Sequence, residues 1–423
     1  MKYLALLLLI ACGKSSSTSA PAAKDATSAK AGSDADVGPT IDAPPPKPTA
    51  TKVVVGVHAS CAVMSDHTLR CWGANDKGQL GDGTTADHPT PVTPSLVGVQ
   101  DVVLGAAHGC ALLDDGSVSC WGDIGFGKAD HQVQPAGVPG VNDAKRLFAV
   151  GAASCATMSN GAFVCWGDID PKGHVRLSGG TREHRVPTPG AGLDHVAVLT
   201  EAGALRDDGT VWTWGADGTP VKTGLADIVE LAAAGDGVCG LTKDGDVVCT
   251  GGAPHCAAKA VKKGKPKRGG KKPPVKKPPA KKPKPEPAPA AFEKLDLPKA
   301  RHLAFDVGMC VVTTTGHLQC LAANNPCELD EPWPGLSKVD VVDGHCARAM
   351  DGSVRCWQVD RKSRTVGTIS GVAGATQIAS SASHGCAVLG DHQVVCWGEN
   401  THGELGRGAT DTTNHPEAAP VGL

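Results

Sequence analysis

Seven times along the chain a cysteine is followed ten positions later by another: Cys61 and Cys71, Cys110 and Cys120, Cys155 and Cys165, Cys239 and Cys249, Cys310 and Cys320, Cys346 and Cys356, Cys386 and Cys396. The clearest copy, Cys110-Ala-Leu-Leu-Asp-Asp-Gly-Ser-Val-Ser-Cys-Trp-Gly122, reads as two short apolar strands around an Asp-Asp-Gly turn. A three-residue loop, Asp114 to Gly116, with Gly116 at positive φ sets Leu113 opposite Ser117 and Cys110 opposite Cys120. Opposed Cα atoms in such a ladder lie about 4.5–5.5 Å apart, inside disulfide range. Period-two alternation puts Cys110, Leu112, Val118 and Cys120 on one face, with Ala111 and Trp121 on the other. Both faces are apolar, so the hairpin must be covered on both sides.

The chain supplies the cover by repetition. An eighth copy, Gly203-Ala-Leu-Arg-Asp-Asp-Gly-Thr-Val-Trp-Thr-Trp-Gly215, keeps the turn and the tryptophan but has Gly203 and Thr213 in place of both cysteines. That paired loss argues that the two positions bond to each other. Repeats of roughly 40–50 residues in an all-β pattern point to the radial blades of a propeller. Further text recurs: Asn75-Asp-Lys-Gly-Gln-Leu-Gly-Asp-Gly-Thr84 and Asn400-Thr-His-Gly-Glu-Leu-Gly-Arg-Gly-Ala409, each followed by a His-Pro. This combination over residues 51–423 resembles the repeat of the regulator-of-chromosome-condensation (RCC1) family. The resemblance implies an all-β propeller of RCC1-like repeats with seven or eight blades, and the hairpins add an intra-hairpin disulfide in most of them. The family usually shows seven blades, against eight hairpins here. The N-terminal Val53-Val54-Val55 and the C-terminal Pro416–Leu423 segment suggest a ring closed by strands from both ends.

Regular cysteine pairs argue for an oxidising compartment, and the N-terminus agrees. Met1-Lys2 is a short positive head, and Tyr3 to Ile10 is an apolar run too short to span a bilayer. Leu9-Ile10-Ala11-Cys12 resembles the bacterial lipobox. That resemblance implies a signal peptide over 1–11 and lipidation (palmitate) at Cys12, and Gly13 implies outer-membrane sorting. The alternative is an ordinary signal peptide with a stray cysteine. Residues 12–50, poor in large apolar side chains, read as a disordered tether. The expected address is the outer membrane or cell surface of a bacterial envelope.

One segment breaks the rhythm. Residues 259–289, within an insert at 257–291, hold twelve Lys, Arg268, many Pro and one acid, Glu286. Taking those thirteen cations and one acid from the chain's 41 and 43 leaves 28 basic against 42 acidic residues. The near-neutral whole is therefore an acidic propeller with a basic arm. The arm reads as a solvated spacer, a ligand for anionic envelope polymer or lipid, or a nucleic-acid binder. It has no aromatics for base stacking and its address is outside the cytosol, so no nucleic-acid partner is expected. Cys256 and Cys327 each stand seven residues after the second cysteine of successive hairpins. We expect them to pair at the neck of the arm, the alternative being two free thiols.

No short zinc-type cysteine spacing occurs, so the ladder reads as structural and no metal or cofactor is expected. His58, His108, His345 and His384 precede hairpins and read as turn residues hydrogen-bonded locally rather than metal ligands. Trp72, Trp121, Trp166, Trp214, Trp357 and Trp397 share one repeat position and read as inter-blade packing. Asp207-Asp208-Gly209 partly resembles a sialidase Asp-box, without an accompanying arginine cluster. No nucleophile elbow, phosphate loop or dinucleotide fingerprint is present. The expectation is therefore a non-enzymatic envelope lipoprotein whose propeller binds a protein or glycan, held to the membrane by its lipid. The alternatives are a propeller hydrolase or lyase acting on extracellular polysaccharide, and a secreted enzyme inhibitor. Among relatives, the resemblance implies bacterial β-lactamase inhibitors and nuclear exchange factors for a small GTPase.

Overall fold

The computed structural model describes residues 47–124, 131–167, 184–214, 220–234, 237–250, 292–305, 309–322, 325–329, 335–359 and 364–423. The unit Pro48–Leu423 is an eight-bladed β-propeller, with no helix among the described residues. Every blade is a four-stranded antiparallel sheet of strands consecutive in sequence. Blades 1 to 8 occupy residues 50–92, 99–137, 144–194, 196–222, 228–294, 300–329, 339–368 and 375–420. In each, an inner strand is followed by the two hairpin strands and an outer strand.

The hairpin forms as its sequence requires. Leu113 N donates to Ser117 O at 2.9 Å and Gly116 N to Leu113 O at 2.9 Å. Gly116 takes φ 80°. Cys110 then faces Cys120, and the same register recurs in all seven cysteine-bearing blades. All seven pairs are disulfides, with Cα separations of 3.9–4.1 Å. That is closer than the ladder spacing alone suggests. Alternating outward from the hydrogen-bonded Leu113–Ser117 pair, the cysteines fall at a non-hydrogen-bonded pair, where strands approach most closely. In blade 4, Gly203 faces Thr213 at the same position.

There is no single core. Eight apolar clusters lie at the eight seams, each built from two neighbouring blades. The disulfide face of a blade meets the tryptophan face of the next: Cys61, Leu69 and Cys71 pack with Ala111 and Trp121. Trp72, Trp121, Trp166, Trp357 and Trp397 are all buried in this way. Trp214 is half-buried at the seam before blade 4, and its Nε1 donates to Glu201 O of its own blade at 2.9 Å.

Ring closure departs from the sequence expectation. Ala50–Val55 is the inner strand of blade 1 and pairs with Ala59–Met64, while blade 8 has four strands of its own. No sheet mixes the two ends of the chain. Side chains close the ring instead: Val53 N donates to Gln377 Oε1 at 2.9 Å, and Gln377 Nε2 donates to Val53 O at 2.8 Å. The reason is that the last repeat continues through Asp411–Pro420, which completes its own sheet and leaves no strand to borrow.

Candidate functional site

In an up-and-down blade, the turns joining the first two strands and the connections joining the last two emerge on one side of the ring. We call this the loop face; the Asp-Gly hairpin turns lie on the opposite, turn face. Hairpin turns hold three or four residues in every blade, and the turns joining the first two strands hold two or three. The connections joining the last two strands differ widely, from 323–324 in blade 6 and 360–363 in blade 7 to 74–87 in blade 1 and 251–291 in blade 5. Variation is therefore concentrated on the loop face. The basic insert falls in the blade 5 connection and lies outside the described residues.

Two of these connections are the Gly-Gln-Leu-Gly and Gly-Glu-Leu-Gly segments, and they act as plugs. Asn75 organises the first: its Oδ1 accepts from Leu80 N at 2.9 Å, and its Nδ2 donates to Asp82 Oδ1 at 3.1 Å. Asn400 does the same in blade 8, accepting from Leu405 N and donating to Ala409 O. Each plug reaches over the seam onto the next blade's tryptophan. Trp121 Nε1 donates to Gln79 O at 2.7 Å, and Trp72 Nε1 donates to Glu404 O at 2.8 Å. Leu80 and Leu405 are fully buried beneath. The sequence shows these segments as repeats but does not reveal that they are seam covers, or that Glu404 is a fully buried carboxylate 3.4 Å from His58 Nδ1.

The expectation that the histidines ahead of the hairpins bond locally holds only in part: His384 Nδ1 lies 3.1 Å from Ser383 Oγ, but the main partners of His108 and His384 stand on neighbouring blades. His108 and His384 are buried and bond across seams: His108 Nε2 lies 2.7 Å from Ser154 Oγ, and His384 Nε2 lies 2.8 Å from Ser60 Oγ. Burial pushes His108 down to about 4 and His384 down to about 3. His58 is the exposed exception, and His345 begins the blade 7 hairpin with a partner of its own. His402, across the closing seam, bonds Asp87 Oδ2 at 2.7 Å, which raises its pKa. Among the described residues there is no group of three or more His, Cys, Asp or Glu placed to hold a metal ion.

Five carboxylates of the turn face are occupied. Asp115, Asp208 and Asp351 each accept from the backbone N–H two residues on, at 2.9–3.0 Å. Those bonds hold all three below the usual carboxylate range, led by the hydroxyls of Ser117, Thr210 and Ser353. Asp114 takes His67 of the blade 1 turn at 2.8 Å, and Asp207 takes Arg146 at 2.9 Å. The Asp-box likeness at Asp207-Asp208 is thus a turn cap and an inter-blade ion pair.

On the loop face, a cavity of about 510 Å³ opens at the mouth of the central channel, lined by Val150, Leu199, Glu201, Leu231, Leu303 and Asp343. A second, of about 270 Å³, lies beside the first plug among His58, Asp76, Lys77, Gln79 and His402. Of the remaining sequence-predicted residues, Cys12 and Cys256 lie outside the described residues, and Cys327 is in the outer strand Asn325–Leu329 of blade 6.

Comparison with known proteins agrees with this geometry. The regulator of chromosome condensation (RCC1) repeat matches residues 66–112, and a second model of that repeat matches 50–79, 99–127 and 375–404. These matches fall in blades 1, 2 and 8. A search of curated proteins found no match. Among solved structures, human WBSCR16 is similar at 16% identity, with 84% of this chain and 95% of that chain covered and a TM-score of 0.51. Prp20p from Saccharomyces cerevisiae is similar at 16% identity over 88% of this chain and 76% of that one, with a TM-score of 0.41. The computationally designed Ika8 protein follows at 12% identity, 83% and 96% coverage and a TM-score of 0.48. At these identities the likeness is one of fold. The chain is a β-propeller of eight blades, tied in seven of them by a disulfide across the central hairpin, and it carries matches to the RCC1 repeat in blades 1, 2 and 8.

Proposed function

We propose that the protein is a non-catalytic binding module whose loop face engages a protein partner. The observation that carries this reading is the contrast between constant hairpins and variable connections. A rigid, cross-linked ring whose connections vary most on one face is the arrangement by which scaffolds display recognition loops. A secreted enzyme inhibitor is one form of this reading. A glycan ligand or a propeller hydrolase is less well supported, because the turn carboxylates that suggested glycoside chemistry are spent on turns and ion pairs.

The address is part of the proposal. The Lys2 head, the apolar run to Ile10 and the Leu9-Ile10-Ala11-Cys12 segment support lipidation at Cys12 and residence at the bacterial outer membrane. The Lys/Pro insert then adds a basic arm near anionic envelope polymer. Photo-crosslinkers placed at Asp76, Thr85 and Thr401 on the loop face, and at Asp115 and Asp391 on the turn face, test the binding reading in envelope preparations. Adducts to one protein from loop-face positions are expected; adducts confined to the turn face would overturn it. Cys12→Ser should release the protein from the membrane fraction.

A further inference from the structure

Trp121 and Trp397 stand in the same pose. A Cβ built on Gly109 would lie 2.6 Å from the Trp121 ring and 2.9 Å from its Nε1; on Gly385 the distances to Trp397 are 2.6 Å and 3.0 Å. Each indole N–H therefore points at the same place above its seam. At Trp121 a plug carbonyl fills that place. Trp397 Nε1 makes no hydrogen bond to any described residue. Blade 7 continues from Trp357 through Gln358 and Val359 into the short connection 360–363, with no Gly-x-Leu-Gly segment to lay over blade 8.

A cleft of about 440 Å³ lies there, lined among others by Cys356, Ile369, His384, Trp397, His415 and Pro416. Its walls are those that a plug covers elsewhere. Leu405 packs on the Cys386–Cys396 disulfide and Trp72, and Leu80 packs on Cys61–Cys71 and Trp121. The cleft offers Cys346–Cys356 and Trp397, and Cys356 is only partly buried where Cys71 and Cys396 are fully so. The far wall matches too. Gly73 pairs with His88 and Gly398 with His415, so Pro416 is the counterpart of Pro89. Pro89 is where the blade 8 plug docks: Gly408 N donates to Pro89 O at 2.7 Å, and Gly403 packs against the Pro89 ring.

We propose that the seam between blades 7 and 8 is a peptide-binding cleft that accepts, from a protein partner, a turn of the form Gly-x-Leu-Gly. Its leucine lies on the Cys346–Cys356 disulfide, and the carbonyl before the leucine accepts from Trp397 Nε1. The glycines are required because the chain passes flat against Trp397 and Pro416. This rests on the loop face being the binding face, but its test needs no natural partner. Failure of the cleft therefore reads separately from failure of the crosslinking experiment.

The test uses the full chain, ¹⁵N-labelled at its eight tryptophans. It is titrated with a ten-residue peptide of the sequence Asn-Asp-Lys-Gly-Gln-Leu-Gly-Asp-Gly-Thr, the protein's own first plug. One indole N–H resonance should shift and saturate, and that resonance should be the one missing from Trp397→Phe. The Phe variant, which keeps an aromatic ring in the seam, should bind the peptide about tenfold more weakly, the ratio expected for one lost hydrogen bond. A peptide with its leucine replaced by aspartate should leave every indole resonance in place. The proposal is overturned if no indole resonance moves at millimolar peptide, if the moving one persists in Trp397→Phe, or if the aspartate peptide acts equally. A Trp397 resonance that shifts with protein concentration alone would assign the cleft to a second copy of the chain and also overturn it.

Discussion

The seams on either side of blade 1 and the seam between blades 7 and 8 are built from the same parts, a disulfide on one blade and a tryptophan on the next. They differ in one element. At the first two, an Asn-organised plug lays a leucine over the disulfide and a carbonyl over the indole. At the third, blade 7 carries no Gly-x-Leu-Gly segment between its last two strands, and a cleft is found. The propeller holds together without the plug because each seam also has its own apolar cluster. The plug is thus a local cover, and at the seam that lacks one a cleft of about 440 Å³ lies beside Trp397.

The largest effect should come from breaking a plugged seam. Trp72→Ala removes a fully buried indole at the ring-closing seam and should cost about 3–5 kcal/mol, read by chemical denaturation. A loss below about 1 kcal/mol would mean that the closing seam contributes little. Next comes the ladder. Replacing Cys110 and Cys120 together with serine removes a short cross-link that contributes roughly 3 kcal/mol in the chain-entropy model, less if the hairpin persists unfolded. The same change at Cys346 and Cys356 should cost no more, since Cys356 is already partly open to the cleft.

Acid should attack the seams where histidines are buried. His108 and His384 stay neutral in the folded ring, while the unfolded chain protonates near the ordinary histidine value. Folding therefore excludes protons, and the stability these groups contribute is full above about pH 6.5. It falls as pH drops, down to about 4 for His108 and about 3 for His384. By pH 4.5 each should have cost roughly 2–3 kcal/mol. His402 runs the other way: its raised pKa gives stability that is present below the ordinary histidine value and lost as pH rises through the raised one. Being half-exposed beside Asp87, it should contribute little. His108→Gln, which keeps a polar partner for Ser154, should flatten the slope between pH 6.5 and 4.5; an unchanged slope would locate the acid sensitivity elsewhere.

The sharpest comparison is smaller. Trp121→Phe strands the Gln79 carbonyl inside a plugged seam and should cost about 1–3 kcal/mol. Trp397→Phe strands nothing and should cost much less. Equal costs would mean that the indole–plug bond does not distinguish the two seams. Smallest of all, deleting residues 259–289 shortens one connection, and each doubling of loop length changes closure by about 0.6 kcal/mol. Melting should shift by a few degrees at most. Any electrostatic role of the segment should appear as salt-sensitive binding to anionic envelope material that the shortened protein lacks.

Much of the ring was legible in the sequence because the hairpin carries its constraints locally. Leu113, Gly116 and Ser117 set a turn, the turn sets the register, and the register pairs Cys110 with Cys120. The alternation that placed Trp121 and Cys120 on opposite faces also implied two covered sides. The histidines were harder to read. His108 follows Ala107 and precedes Gly109, as a turn residue would, and only the approach of Ser154 from the next blade identifies it as a seam residue. The same holds for Asp208, whose Asp-box likeness dissolves once its carboxylate is seen capping Thr210 N. Ring closure was misread because both ends of the chain look like unpaired strands until their sheets are assembled.

By itself the sequence determined the repeat, the disulfide register, the two-sided burial of each hairpin and the concentration of positive charge in one insert. All of these follow from spacing along the chain and from the turn chemistry of a few residues. The tertiary structure alone decided that there are eight blades with no shared strand, that Gln377 and Trp72 close the ring, and that two loops plug seams while a third seam stays open. Those outcomes depend on groups more than 300 positions apart, Val53 beside Gln377 and Trp72 beside Glu404. Whether a plug lies over a seam depends on a segment contributed by the neighbouring blade, as Gln79 over Trp121 and Glu404 over Trp72 show, a property no single repeat contains.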